Sequence, residues 1–203
     1  MKIICIGRNY AEHAREFGNE VPEKPIFFFK PDNSIITRNR PFFYPDFSED
    51  IQYETEIVLK ISRLGKNIEE RFAHRYYKEL TIGIDLTARD LQKECKEKGR
   101  PWEIAKGFDG AAPLGKFVKK DAYPDIYNLN FSLQQNNEIV QQGNTKDLIF
   151  NFEQLIAYVS QFITLKIGDL IFTGTPVGVG PVHINDHLTA YLEDKPLLDF
   201  LIK

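Results

Sequence analysis

The sequence predicts an α+β protein in which strands dominate. Three observations carry this. Short runs rich in β-branched and aromatic residues recur along the chain, among them "PIFFFKP", "YETEIVLKI", "LTIGIDL" and "DLIFTGTP". Helical patterns are few and scattered instead of alternating with the strands. The stretch "NLNFSLQQNNEIVQQG" alternates apolar and polar residues on both sides of Asn136-Asn137, the mark of a hairpin. The 203 residues are 42% hydrophobic and 27% charged, so a single domain over 1–203 with one sizeable core is expected.

Each element has its own signal. A first strand is expected over 2–6, followed by a turn at 7–9. "NYAEHAREFG" reads as a short helix, with Asn9 as its cap, Glu12 at the capping-box position and Gly18 as its stop. "PIFFFKP" is a strand bounded by prolines, and a loop with short extended pieces follows to Asp50. A strand is expected over 53–61 and a weak helix over 68–77. "LTIGIDL" is a strand that runs into the helix "TARDLQKECKEKG". Thr87 and Asp90 are its T-x-x-D cap, Ala88, Leu91 and Cys95 share a face, Glu94 pairs with Lys98, and Gly99 and Pro101 end it. Asn151 caps a helix over 152–161 with Leu155, Ile156 and Val159 on one face, and late strands complete the chain.

The bulk numbers exclude several function classes. A formal net charge of -3 and a pI near 5.9 carry no nucleic-acid footprint. No apolar run approaches the ~20 residues of a membrane span. Cys5 and Cys95 are far apart, which fits a reducing compartment and excludes a disulfide framework or a zinc ribbon. The opening "MKIICIGRNY" is too short in apolar residues to read as a signal peptide. The expected location is the cytoplasm.

The chemistry-bearing residues begin with Glu54 and Glu56. Residues two apart on a strand share a face, so two like charges are aimed at one spot beside the core. A solvent-facing edge explains such a pair equally well on pattern alone. Asp85 changes the weighing, because it ends an apolar strand at a strand-to-helix junction. Three carboxylates in a partly buried place need a cation to stay ionised. Oxygen-only ligands point to a hard divalent ion, Mg²⁺ or Mn²⁺, with Ca²⁺ as a further option.

His13 and Glu16 stand at i and i+3 on the first helix and face the same way. They are either a surface pair or a general base in which Glu16 orients the imidazole. Lys106, in the apolar-aromatic stretch "PWEIAKGFDG", is either solvated or placed to stabilise an anion. Arg89 and Gln92 lie on one side of the Thr87 helix and read a carboxylate or face solvent. "TGTPVGVGP" is a tight turn whose backbone N–H groups and Thr175 hydroxyl can bind an anion; it is not a P-loop. His183 and His187 read as structural or exposed. No G-x-S-x-G is present, so a serine-hydrolase elbow is not supported.

Taken in order, "IGRNYAEHAREF", "FFFKP", "YETEIVL", "GIDLTARDLQ", "AKGFDGAAPLG" and "LIFTGTPVGVGP" resemble the fumarylacetoacetate hydrolase family, in its compact acylpyruvase and oxaloacetate decarboxylase branch. The resemblance covers nearly the whole chain. It implies a mixed β-sandwich roll, a homodimer, and one Mg²⁺ or Mn²⁺ held by Glu54, Glu56 and Asp85. It implies that Lys106 stabilises a pyruvate enolate, that His13 and Glu16 act as a dyad on a helix, about 9–18, that closes as a lid, and that Arg89, Gln92 and Thr175 contact substrate. The expected substrate is a small 2-oxo acid. The chain begins directly at the first motif, without the N-terminal domain of larger members, which argues against fumarylacetoacetate itself. An isomerase or hydratase of 2-oxo-dienoates on the same site is the alternative enzyme. A non-enzymatic β-rich protein is the alternative outside enzymes, and absence of metal-dependent turnover would identify it.

Overall fold

The computed structural model describes residues 1–16 and 20–203, without the side chains of residues 14 and 16. Strand β1 (Ile3–Gly7) leads to helix α1 (Ala11–Glu16), and β2 (Ile26–Lys30) runs back antiparallel to β1. The expected stop at Gly18 lies outside the described residues. A loop holding the short strand β3 (Ile35–Ile36) reaches β4 (Ile51–Tyr53) and β5 (Thr55–Ile61). The run expected as one strand is therefore interrupted at Glu54. The weak helix shortens to α2 (Glu70–Ala73), because Tyr77 is buried and opens β6 (Tyr77–Ile84) opposite Ile61.

Next come β7 (Thr87–Ala88), α3 (Arg89–Glu97), α4 (Glu103–Lys106), β8 (Ala112–Pro113) and β9 (Val118–Lys119). Ala88, not Thr87, stands at the N-cap of α3, and no side chain caps that end. Both expected cap residues are engaged elsewhere. The Thr87 hydroxyl accepts from Lys106 Nζ, and the Asp90 carboxylate accepts from Ser48 Oγ and the Glu49 N–H. The end of α3 follows expectation: Glu94 pairs with Lys98 at 2.7 Å, and Gly99 takes φ 60°.

The hairpin forms as β10 (Asn130–Gln135) and β11 (Glu138–Asn144). Asn136 and Asn137 take φ 54° and 69°, the left-handed pair that a tight two-residue turn requires. Helix α5 (Phe152–Phe162) opens with a full capping box between Asn151 and Gln154, and Leu155, Ile156 and Val159 are buried. The chain closes with β12 (Leu170–Phe172), β13 (Gly180–Pro181), β14 (His187–Leu192) and β15 (Lys195–Leu201).

A six-stranded sheet has the order β2-β1-β12-β5-β6-β9, with β1 and β12 parallel and the other pairs antiparallel. A four-stranded antiparallel sheet has the order β11-β10-β14-β15. The main core lies between them: Ile4, Ile57 and Ile82 of the larger sheet cluster with Leu133, Leu188 and Phe200 of the smaller and with Ile156 of α5. On β1 the alternate residues Ile3 and Cys5 face the other way, into a second cluster with Val58 and Phe172. The larger sheet is thus covered on both faces, the β-rich α+β sandwich that was expected. The smaller sheet β13-β4-β7 runs past the end of β5. Its strands β4 and β7 bring the segments around Glu54 and Asp85 together.

Candidate metal centre and active-site cavity

Glu54 sits at the break between β4 and β5, and its carbonyl accepts the Asp85 N–H at 2.8 Å. The pairing of β5 with β6 therefore continues one step beyond the ladder and places the Asp85 side chain beside the glutamates. One oxygen from each of Glu54, Glu56 and Asp85 falls within 4.8 Å of the others, and all three residues are buried.

Cations neutralise part of this charge. Lys106 Nζ, at the end of α4, donates to Glu54 Oε2 and Asp85 Oδ2, each at 2.9 Å, and to the Thr87 hydroxyl. Arg89 Nη2 donates to Glu54 Oε1 at 2.6 Å. Its Nε and Nη1 donate to Gln52 Oε1 at 2.8 Å and Gln92 Oε1 at 2.7 Å. Lys30, at the end of β2, lies beneath: its Nζ is 2.7 Å from Asp85 Oδ1 and also donates to the Leu86 and Lys106 carbonyls. The Asp85 contact is close but lacks hydrogen-bond direction, so Oδ1 has no hydrogen-bond partner. Glu56 accepts from the Gly174 N–H at 2.7 Å. No lysine or arginine bond to Glu56 occurs among the described residues.

The electrostatics divide the two glutamates. Burial pushes the Glu54 carboxyl up, but Lys106, Arg89 and His13 overcome it and hold the group well below the usual carboxylate range. Burial pushes Glu56 up as well, and the Asp85 charge adds to it; the Gly174 N–H opposes this without prevailing. Lys106 is pushed down by burial and up by Asp85 and Glu54, and the carboxylates win. A buried carboxyl with no lysine or arginine bonded to it among the described residues, beside an Asp85 oxygen that has the Lys30 charge near it but no hydrogen bond, is the setting a hard divalent ion relieves. The donor set of three carboxylate oxygens fits Mg²⁺ or Mn²⁺ and does not suit zinc.

His13, Glu54, Glu56, Asp85, Arg89, Gln92, Lys106 and Thr175 all line one cavity. These are all the residues singled out from the sequence for the site except Glu16. The Glu16 side chain lies outside the described residues, as do positions 17 and 18 of the expected lid. Asn9 does not cap α1. Its buried amide accepts the Phe150 N–H through Oδ1 and donates to the Phe150 and Thr173 carbonyls. It thereby ties the segment before α1 to the "TGTP" turn. His183 and His187 contact Asp186 and Asp199 instead and do not line the cavity.

Two residues were not anticipated. Lys30 carried a visible hint, a lone lysine closing an apolar strand before proline. Gln141 carried none, being one polar residue of an alternating hairpin. Its Nε2 donates to Thr175 Oγ1 at 2.8 Å, while its Oε1 accepts the Thr55 N–H at 3.0 Å. It therefore positions the threonine against β5.

A family model described as fumarylacetoacetate (FAA) hydrolase C-terminal matches residues 2–200. The chain belongs to the fumarylacetoacetate hydrolase family. Among its relatives, "Oxaloacetate tautomerase FAHD1, mitochondrial" of Bos taurus is 40% identical over 188 residues, 93% of this chain and 85% of that one. "Oxaloacetate decarboxylase, mitochondrial" of Dictyostelium discoideum is 42% identical over 182 residues, 89% of this chain and 84% of that one. The crystal structure of fumarylpyruvate hydrolase from Pseudomonas aeruginosa in complex with Mn²⁺ and pyruvate superposes with a TM-score of 0.93. It is 33% identical, covering 100% of this chain and 90% of that one. The chain is similar to all three across nearly its whole length.

Proposed function

We propose that this protein cleaves C–C bonds of 2-oxo acids, hydrolysing acylpyruvates and decarboxylating oxaloacetate, with a divalent ion held by Glu54, Glu56 and Asp85. The convergence of these three buried carboxylates in one cavity with Lys106 and Arg89 carries the reading. The decarboxylase and the pyruvate-bound hydrolase among the similar proteins support it. A bound Mg²⁺ or Mn²⁺ supplies Lewis-acid chemistry at such a site.

The chain's own groups do the rest. Arg89 and Gln92, locked to each other, orient the substrate carboxylate, and Thr175 contacts its other side. In hydrolysis His13 takes a proton from water, whose oxygen attacks the distal carbonyl; the C–C bond breaks and its electron pair remains on the pyruvate unit as an enolate. In decarboxylation no water is needed, because CO₂ leaves and the same enolate remains. Lys106, fixed by three acceptors, supplies positive charge toward it. Glu16 is assigned to orient His13.

The finer assignments are Mg²⁺ or Mn²⁺ as the ion, a homodimer as the assembly and the cytoplasm as the location. Family resemblance supports the first two, and the unpaired Cys5 and Cys95 support a reducing compartment. A second reading, proton transfer without bond cleavage, is favoured by the tautomerase among the relatives. It is the isomerase class on the same cavity.

The test is pyruvate formation from oxaloacetate and from acetylpyruvate, each with Mg²⁺ and with a chelator. Chelator-sensitive pyruvate is expected from either or both. Enol-to-keto conversion of oxaloacetate with no pyruvate would select the second reading. Titration of Mn²⁺ into Glu54→Ala and Asp85→Ala protein tests the ligand assignment apart from turnover. Affinity equal to the parent protein would refute it.

A further inference from the structure

The "TGTP" turn follows β5 beyond the end of their pairing. Strand β12 meets β5 with Phe172 opposite Val58. One step on, the Thr173 N–H and hydroxyl both donate to the Ile57 carbonyl. The Gly174 N–H then bonds to the Glu56 carboxylate, and the next position sets Thr175 against Thr55. Among the described residues, no backbone bond joins those two. The side chain of Gln141, from β11, bridges them instead and is only 2% exposed.

The orientation of this amide is fixed by what it faces. The Thr55 N–H can only donate, so it meets Gln141 Oε1, at 3.0 Å. The Pro176 carbonyl can only accept, so it meets Nε2, at 2.9 Å. A flipped amide would set donor against donor and acceptor against acceptor. The second hydrogen of Nε2 is then left for Thr175 Oγ1, 2.8 Å away. An amide nitrogen accepts nothing, so the threonine hydroxyl must accept on this side, and its own proton points elsewhere. Thr175 is buried and lines the cavity, whereas Gln141 does not. Among the described residues, the Thr175 hydroxyl donates to no protein acceptor.

Resting on the function proposed above, we infer that Gln141 is a positioning residue that makes the Thr175 hydroxyl an obligate hydrogen-bond donor to the carboxylate of the bound 2-oxo acid. Without the amide, the hydroxyl is free to rotate, and each substrate must reorient it. A donor already aimed when the anion arrives costs no reorganisation. Gln141 touches no substrate atom; it acts through the threonine alone.

Two measurements test this. The first is a double-mutant cycle read by calorimetry on Mn²⁺-loaded protein. The probe is oxalate, an unreactive dianion with the planar carboxylate that a 2-oxo acid presents. The variants are Gln141→Met, Thr175→Val and the two together. Each single variant is expected to weaken oxalate about 10-fold, and the double variant no further than the weaker single. With acetylpyruvate, Gln141→Met should lose in KM and keep kcat near the parent value. Losses that multiply in the double variant would overturn the inference, and so would oxalate binding by Gln141→Met equal to the parent protein or a loss confined to kcat. A non-additive cycle in a protein without chelator-sensitive turnover would keep the donor role and reject the proposed reaction.

The second uses the parent protein and serves if Gln141→Met does not fold. Neutron diffraction from its Mn²⁺–oxalate complex is expected to place a deuteron on Thr175 Oγ1, directed at an oxalate oxygen. The two deuterons on Gln141 Nε2 should point to Thr175 Oγ1 and the Pro176 carbonyl. A Thr175 deuteron directed at a protein acceptor would overturn the inference.

Discussion

Lys30 and Asp85 meet beneath the carboxylate cluster, with Nζ of one 2.7 Å from Oδ1 of the other and both side chains sealed from solvent. The same ammonium holds the carbonyls of Leu86 and Lys106. One lysine therefore sets both a candidate metal ligand and the backbone of the cation opposite it. Lys30→Met leaves the buried Asp85 carboxylate without this cation and the Leu86 and Lys106 carbonyls without their donor. The expected loss is about 3–5 kcal/mol of stability, read from the urea midpoint, together with weaker Mn²⁺ binding. A midpoint unchanged from the parent protein would show that the contact has no structural weight.

His13 is assigned to water in hydrolysis and to nothing essential in decarboxylation. His13→Ala should lower kcat/KM for acetylpyruvate by about 100-fold or more and for oxaloacetate by far less. Parallel assays on one preparation decide it. Equal loss on both substrates would refute the role of His13 as the water's base.

Gly174 has φ 102°, and its N–H donates to Glu56 Oε2. A Cβ there would stand 2.7 Å from Asn9 Cβ. Gly174→Ala therefore combines backbone strain with a clash against a buried amide that has its own bonds to keep. A loss of about 2 kcal/mol or more is expected. Mn²⁺ affinity should fall about 10-fold as Glu56 loses its donor. Mn²⁺ electron paramagnetic resonance titration beside thermal melting checks both. Unchanged affinity would mean that Glu56 holds its position without this amide.

Asp186 accepts from Gln135 Nε2 at 2.6 Å, Asn136 Nδ2 at 2.8 Å and the His183 N–H at 2.6 Å. Burial pushes its carboxyl up, but the bonds from Asn136, His183 and Gln135 and the charge of His183 hold it below the usual aspartate value. A carboxyl with a lower pKa folded than unfolded stabilises the fold above its unfolded value, about 3.9, and less as pH falls through the folded one. Asp186→Asn should cost about 2 kcal/mol near neutral pH, with the gap closing below about pH 4. Denaturation of both proteins across this range measures it. A constant gap would mean that the charge of Asp186 is irrelevant.

The parts of the site legible in the sequence were those with local period or strong chemistry. Glu54 and Glu56 were visible because alternate residues share a face, and that relation survives the break at Glu54. The Asn136-Asn137 turn and the Asn151 cap were visible because each depends on neighbours within a few residues. Asn9 and Thr87 were misread for the same reason. Each has the local pattern of a helix cap, but a distant partner takes its side chain: the Phe150 and Thr173 segments for Asn9, and Lys106 for Thr87. Local propensity is weak beside a buried hydrogen bond. Gln141 and Lys30 act wholly through residues remote in the chain, so no window of sequence contained their role.

The parallel pairing of β1 with β12 has a consequence for how the molecule comes into being. Lys2 N–H bonds to Asp169 Oδ1 across 167 residues, and Ile3 pairs with Leu170 next to it. The metal-ligand strands β5 and β6, by contrast, are neighbours in the chain and can pair as soon as both exist. On a ribosome, the acidic cluster can thus take shape while β1 still waits for its partner. Pairings that close long loops form late and slowly. The central sheet then closes only after β12 has emerged, and until that moment the side of β1 that later meets β12 remains an open edge, available to other chains.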